Sequence, residues 1–328
     1  MARGPRRAEI ALLLVSLGVT LVVAEGAVRL FGTGDAKSGY APLRTGRRER
    51  QPINAIGYRD LERVQPKPAG VRRLVSLGDS FTWGVGILFD DAWPQRVERT
   101  LSRTRGEKWE AVNLAEPGMN AVQQASRLAS EGLGYGPDAV VLAWVLNDSE
   151  DEEAAEARRA RDWALEEGRE PTLGDALASR SALFNLVRTR VRATLENRRR
   201  ISGYRSMYAD DSAGWAKARD ALREMGGLCR ARGVPFVVVI FPLFANPLDE
   251  RYPFADLHAK VAQAAADAGA KVVDLLPLYK SVDWKLLVVD GTADEHPNEI
   301  AHRIAAQAIT RAMNEVVPRS AAAAPARP

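Results

Sequence analysis

The run Ala139 to Leu146, AVVLAWVL, narrows the fold more than any other stretch, because it contains no polar residue. A half-exposed strand alternates apolar and polar side chains, so an unbroken apolar run predicts a strand buried on both faces, as in a parallel sheet. Leu74, Val75 and Leu77, then Ala111 to Leu114, Phe236 to Phe241 and Lys271 to Leu275, also read as strands. Helical patterns separate them. Asp91 can cap a helix with Pro94 in its first turn and Trp93, Val97 and Leu101 on one face; Val122 to Leu128 is another. A last helix, Glu299 to Val317, carries Ile300, Ile304, Ala308 and Met313 toward the core and stops before Pro318. Strands alternating with helices predict βαβ units and a doubly wound α/β sheet. A chain of 328 residues can bury such a core without staples.

The first strand breaks at Gly78-Asp79-Ser80. In an open α/β sheet, reactive groups are presented beyond the carboxyl ends of the strands, where Ser80 stands. A serine hydroxyl is a weak nucleophile unless a neighbouring base takes its proton. The histidines number three: His258, His296 and His302. His296 lies in Asp294-Glu295-His296-Pro297-Asn298, on a loop between a strand ending near Val289 and a helix starting near Glu299. Asp294 could hold the imidazole tautomer and stabilise the imidazolium. Blander roles exist for each residue: Ser80 as a helix cap, Asp79 as organiser of the turn, Gly118 as a turn glycine, Asn147 as a loop capper. His258 and His302 read as packing or solvent-facing residues rather than bases.

Gly78-Asp79-Ser80-Phe81, Gly118 after Asn113-Leu114-Ala115-Glu116-Pro117, Asn147-Asp148, and Asp294-Glu295-His296-Pro297-Asn298 resemble, in that order, the four blocks of the SGNH (GDSL-type) hydrolases. The resemblance runs from about Asn54 to Val317. It implies a flavodoxin-like three-layer α/β/α fold with a central parallel sheet, and ester hydrolysis through an acyl-serine. By the same resemblance Ser80 is the nucleophile, His296 the base and Asp294 its partner. The oxyanion hole comes from the backbone N–H groups of Ser80 and Gly118 and the side-chain amide of Asn147. Phe81 stands where the name-giving motif has leucine, and Val145 where a glycine often precedes the third block. Some members carry the aspartate three residues before the histidine, at the place of Ala293 here.

Composition excludes other classes. The net charge of +4 comes from scattered arginines among 42 acidic residues, with no basic run longer than Arg198-Arg199-Arg200, so nucleic acid is not a favoured partner. The single cysteine, Cys229, rules out an internal disulfide, and one Cys with three scattered His cannot make the usual zinc spacings. The 78–86 loop lacks the Gly-Lys-Ser/Thr ending of a phosphate-binding loop. No metal and no cofactor is expected.

Arg3, Arg6 and Arg7 precede an apolar run, Ile10 to Ala24, that continues past Glu25 and Gly26 to Phe31. A span of about 20 residues crosses the hydrocarbon core, so 1–31 reads as a signal anchor, with a cleaved signal peptide as the alternative. Basic residues after the segment outnumber those before it, so the positive-inside count alone does not orient it. Its export-signal build places the domain outside the cytoplasm. Residues 32–68 read as a linker, except Asn54 to Asp60, which is expected to pack on the sheet edge and carries no assigned chemistry. The hydrolase-like domain is expected over 69–318 and a disordered Ala- and Pro-rich tail over 319–328. A helical insertion, 149–215, follows Asn147 and helps to shape the substrate site. In it Leu183, Val187, Val191 and Leu195 form an apolar stripe, with Arg188, Arg190 and Arg192 opposite. That helix either lids an acyl pocket or meets anionic lipid headgroups, or packs its apolar face on the main domain, the reading we favour from sequence.

These features predict a membrane-anchored serine esterase or deacylase acting on an acylated glycan or lipid. The alternatives are transfer of the acyl group to a glycan hydroxyl, and a non-catalytic envelope protein that keeps the fold. Acyl length, alcohol part and oligomeric state are not readable from the sequence.

Overall fold

The computed structural model describes residues 7–31, 52–153, 156–157, 172–290 and 294–319, with the backbone alone at Arg7, Asp290 and Asp294. The first part of the expected linker, most of 154–171 in the insertion, and the tail from Ser320 lie outside them. The helices are α1 (Arg7–Phe31), α2 (Ser80–Trp83), α3 (Trp93–Arg105), α4 (Ala121–Ser130) and α5 (Leu173–Arg180), then α6 (Ala182–Met207), α7 (Ala213–Ala231), α8 (Ala255–Asp267), α9 (Leu276–Tyr279) and α10 (Glu299–Val316). The strands are β1 (Val71–Leu77), β2 (Lys108–Asn113), β3 (Ala139–Trp144), β4 (Phe236–Ile240), β5 (Lys271–Asp274), β6 (Val288–Asp290) and β7 (Asp294–Pro297). The chain divides into two compact units, Met1–Ala36 with Ala157–Ser202, and Lys37–Glu156 with Gly203–Pro328.

In the second unit, β2-β1-β3-β4-β5 form a five-stranded parallel sheet in that order. This is the flavodoxin-like doubly wound arrangement, with helices on both faces and the order reversing at β1 and β3. Helices α3 and α10 cover one face; α4, α7 and α8 cover the other. Every residue of β3 and β4 is buried, as continuous apolar runs require in a sheet covered twice. In β1 the apolar run admits Arg73, wholly buried because its guanidinium meets the Glu110 carboxylate at 2.9 Å and the carbonyls of Tyr135 and Val64. β3 ends at Trp144, where the Asp148 carboxylate takes the next amide, Val145 N–H, at 2.9 Å.

Two helix expectations shift. Helix α3 starts after Ala92, with Asp91 one residue before that cap at the end of a 3-10 turn, its carboxylate paired with Arg96 at 2.6 Å rather than capping. In α10 the fully buried stripe is Ala301, Ala305, Ile309 and Met313, while Ile300 and Ile304 are half-buried. The cap sets this phase: Asn298 accepts from the amides of Ile300 and Ala301 and donates to the carbonyls of Leu286 and Val288.

The first unit contains α1, whose 24-residue stretch Ala8–Phe31, holding an 18-residue window of mean hydropathy 2.2, is long and apolar enough to cross a membrane. Near its end the Glu25 carboxylate meets Arg29 at 2.6 Å and accepts from Ser181 Oγ and the amides of Ala182 and Leu183, the start of α6. No residue of α6 is fully buried. Among the described residues of this unit, Val187, Val191 and Leu195 in the apolar stripe of α6 are 52%, 51% and 48% exposed.

Candidate active site

The turn that leaves β1 is built to present Ser80. Gly78 has φ +146°, and a Cβ there would collide with the Thr82 hydroxyl, so the chain turns at a residue without a side chain. The Asp79 carboxylate accepts from Phe81 N–H at 2.9 Å and caps α2, a single helical turn that begins with Ser80 and ends at Gly84, φ +84°. The loop after it is tied from a distance. Arg59, buried to 2% exposure, donates through Nη1 to the carbonyls of Trp83 (2.5 Å) and Gly84 (2.8 Å), and through Nη2 to that of Ile87 (2.6 Å). Burial lowers its pKa to about 10, still charged in neutral water. The neighbouring Asp60 carboxylate takes Asn113 N–H at the end of β2 and pairs with Arg63 at 2.9 Å. The 54–60 segment thus packs on the edge strand, as expected, and also holds the loop after Ser80.

The other residues singled out in the sequence converge on the carboxyl ends of β1, β2 and β3. Asn147, in a short 3-10 turn after β3, donates from Nδ2 to Asp79 Oδ2 at 2.9 Å. Asp79 and Asp148 are both buried. Burial raises the Asp79 carboxyl, opposed by the Asn147 and Phe81 hydrogen bonds; burial, and then the Asp79 charge, raises Asp148 further above the usual carboxylate range. Asp148 is held by Val145 N–H and Gln124 Nε2, both at 2.9 Å. Gly118, between β2 and α4, has φ +83°, and the space a Cβ would enter is open.

His296 lies not in a loop but in β7, half of an antiparallel hairpin in which Val288 faces Pro297 and Asp290 faces Asp294. β7 packs against α2, and the half-buried imidazole sits edge-on to the Phe81 ring, centroids 5.6 Å apart. His296 also opposes the rise in the Asp79 pKa, as a nearby positive charge would. Strand and turn thereby bring His296 beside the residues flanking Ser80. Asp294 is in the same strand by its backbone, and its carboxylate lies outside the described residues.

The remaining histidines are buried in other roles. His302 accepts Trp93 N–H on Nδ1 at 3.1 Å, and burial lowers its pKa to about 3. His258 lies between Asp274, 2.9 Å from Nδ1, and the Tyr252 hydroxyl, 3.3 Å from Nε2. Among the described residues no group of three His, Cys, Asp or Glu could hold a metal ion. Sequence reasoning missed Arg59 and the buried Asp148 as parts of this framework; the one signal was Gly57-Tyr58-Arg59-Asp60, an ordered-looking island in an otherwise linker-like stretch.

A model of the GDSL-like lipase/acylhydrolase family matches residues 76–304, which includes Ser80, Gly118, Asn147, Asp294 and His296 but not the 54–60 segment. No curated protein sequence matches the chain. Similar solved structures include TesA, 16% identical with a TM-score of 0.47, covering 75% of this chain and 99% of that one. Others are the lipase/acylhydrolase from Enterococcus faecalis (17%, TM-score 0.45, 76% and 98%) and the acetyl xylan esterase AlAXEase (15%, TM-score 0.44, 73% and 98%). The chain belongs to the GDSL-like lipase/acylhydrolase family and is a hydrolase of ester bonds.

Proposed function

We propose that the chain is a serine esterase or deacylase, anchored by α1, that cleaves an O-acylated glycan or lipid outside the cytoplasm through an acyl-serine. The observation that carries this reading is the arrangement around α2: Ser80 opens it, Asn147 reaches its capping Asp79, and the strand bearing His296 packs against it. His296 takes the Ser80 proton as Oγ attacks the ester carbonyl, and returns it to the leaving alcohol; water then enters by the same route in reverse. An amide nitrogen carries two hydrogens, so Asn147, with one engaged by Asp79, has a second for the oxyanion. The backbone N–H groups of Ser80 and Gly118 complete the hole, and Asp294 orients His296.

The test uses the full chain in detergent with short-chain nitrophenyl esters and an acetylated glycan. Ser80→Ala should lower kcat/KM by roughly 10⁴-fold or more while leaving the thermal unfolding transition in place. Undiminished turnover in that variant would remove Ser80 from the mechanism. A C-terminal alkaline phosphatase fusion, active only on the outer side, reports the location; an inactive but full-length fusion would place the domain inside.

A further inference from the structure

We propose that α6 is a second membrane contact, lying along the acidic headgroup layer of the leaflet where α1 ends, with its apolar stripe in the lipid and its arginines on phosphates. It rests on the reading of α1 as a retained anchor. Three features meet in this unit. Glu25 follows Ala8 by about 26 Å of helix, close to one hydrocarbon thickness, which puts it near the interface. There its carboxylate holds Ser181 Oγ and the amides of Ala182 and Leu183, while Arg29 donates to the Arg180 carbonyl, so α6 starts at the level where the anchor ends.

The second feature is the exposed stripe of Val187, Val191 and Leu195, widened by Phe184 at 38% exposure and Leu186 at 39%. The third is charge: α6 carries arginines at 188, 190, 192, 198, 199, 200 and 205 against Glu196 alone. At 100° per residue Arg188, Arg192 and Arg199 lie along one edge of the stripe rather than opposite it, Arg190 lies at the other edge between Leu183 and Leu186, and Arg198 continues the stripe's line beyond Leu195. From the edges long cationic side chains reach headgroups while their stems lie on lipid. Arg188 is already paired with Asp175 in α5; Arg190, Arg192 and Arg199 are exposed. An amphipathic helix with cations beside its apolar face is the pattern of an interfacial helix, and acidic lipid is the occupant its charge selects.

Labelling tests this in the full chain, because Cys229, the only native cysteine, is buried and its thiol is pushed up to about 12. Val191→Cys, Val187→Cys and Glu196→Cys variants, each with wild-type ester hydrolysis, carry an environment-sensitive dye in phosphatidylglycerol vesicles with or without brominated acyl chains. The expected result is that the chain floats with the vesicles, dyes at 187 and 191 are blue-shifted and quenched by bromine, and the dye at 196 is neither. Arg190→Gln, Arg192→Gln and Arg199→Gln should each shift the docked helix toward the lifted form about fivefold. A floating chain whose 187 and 191 dyes stay water-like, or are shielded without bromine quenching, overturns the docking and leaves the anchor. Equal quenching in phosphatidylcholine overturns the choice of acidic lipid. A chain that does not float, or whose mass lacks the first segment, overturns the anchor and the docking together.

Discussion

Asp79 and Asn147 show how much of the site rests on one contact. A carboxylate can only accept, so Asp79 selects the Nδ2 end of Asn147 and fixes the amide plane. Removing the amide with Asn147→Ala should lower kcat roughly 10²- to 10³-fold with little change in KM, as expected for a donor used in the transition state. Asp79→Asn should lower the same parameter by less, because an amide offers donors as well as an acceptor and lets Asn147 turn over. Combined, the two losses should be far from additive, and additive losses in steady-state kinetics would separate the residues into independent roles. The motif residues could be picked out of the sequence because the proposed chemistry demands particular side chains. The Asp79 to Asn147 bond was not, since nothing in the sequence says which way an amide will face.

The parallel strands could be read because burial on both faces leaves an unbroken apolar run. Helix faces were less legible: the phase of α10 is set by the carbonyls Asn298 grips, and an amphipathic pattern such as that of α6 does not say what covers it. Least visible was the strap from the 54–60 segment, since Arg59 recognises main-chain carbonyls, which any sequence possesses. Arg59→Met should leave those buried carbonyls without their donor, at about 1–3 kcal/mol each by urea midpoint, and slow turnover by loosening the loop after α2. Arg59→Lys, unable to span Trp83 to Ile87, should recover only part. A variant that lost stability yet kept the full kcat would confine the strap to holding the fold.

Across the whole domain, His302 makes stability depend on acidity. The fold keeps this imidazole neutral down to about pH 3, while the unfolded chain protonates near 6.5. Its contribution is complete above pH 6.5 and is lost as pH falls, by about 1.4 kcal/mol per unit. Asp79 and Asp148 work the other way: with raised folded values, the cost of their burial is relieved as pH drops toward 3.8. His302→Gln retains those acids, so the gap between wild type and variant in urea midpoint should narrow from pH 8 to pH 4.5; a constant gap would show that this histidine does not titrate as stated. The bond from Trp93 to His302 spans 209 positions and seats the last helix on α3, immediately after the hairpin that holds His296. On the proposed mechanism, a ribosome therefore releases Ser80 long before His296, and a nascent or clipped chain that lacks β7 and α10 should be inert toward esters.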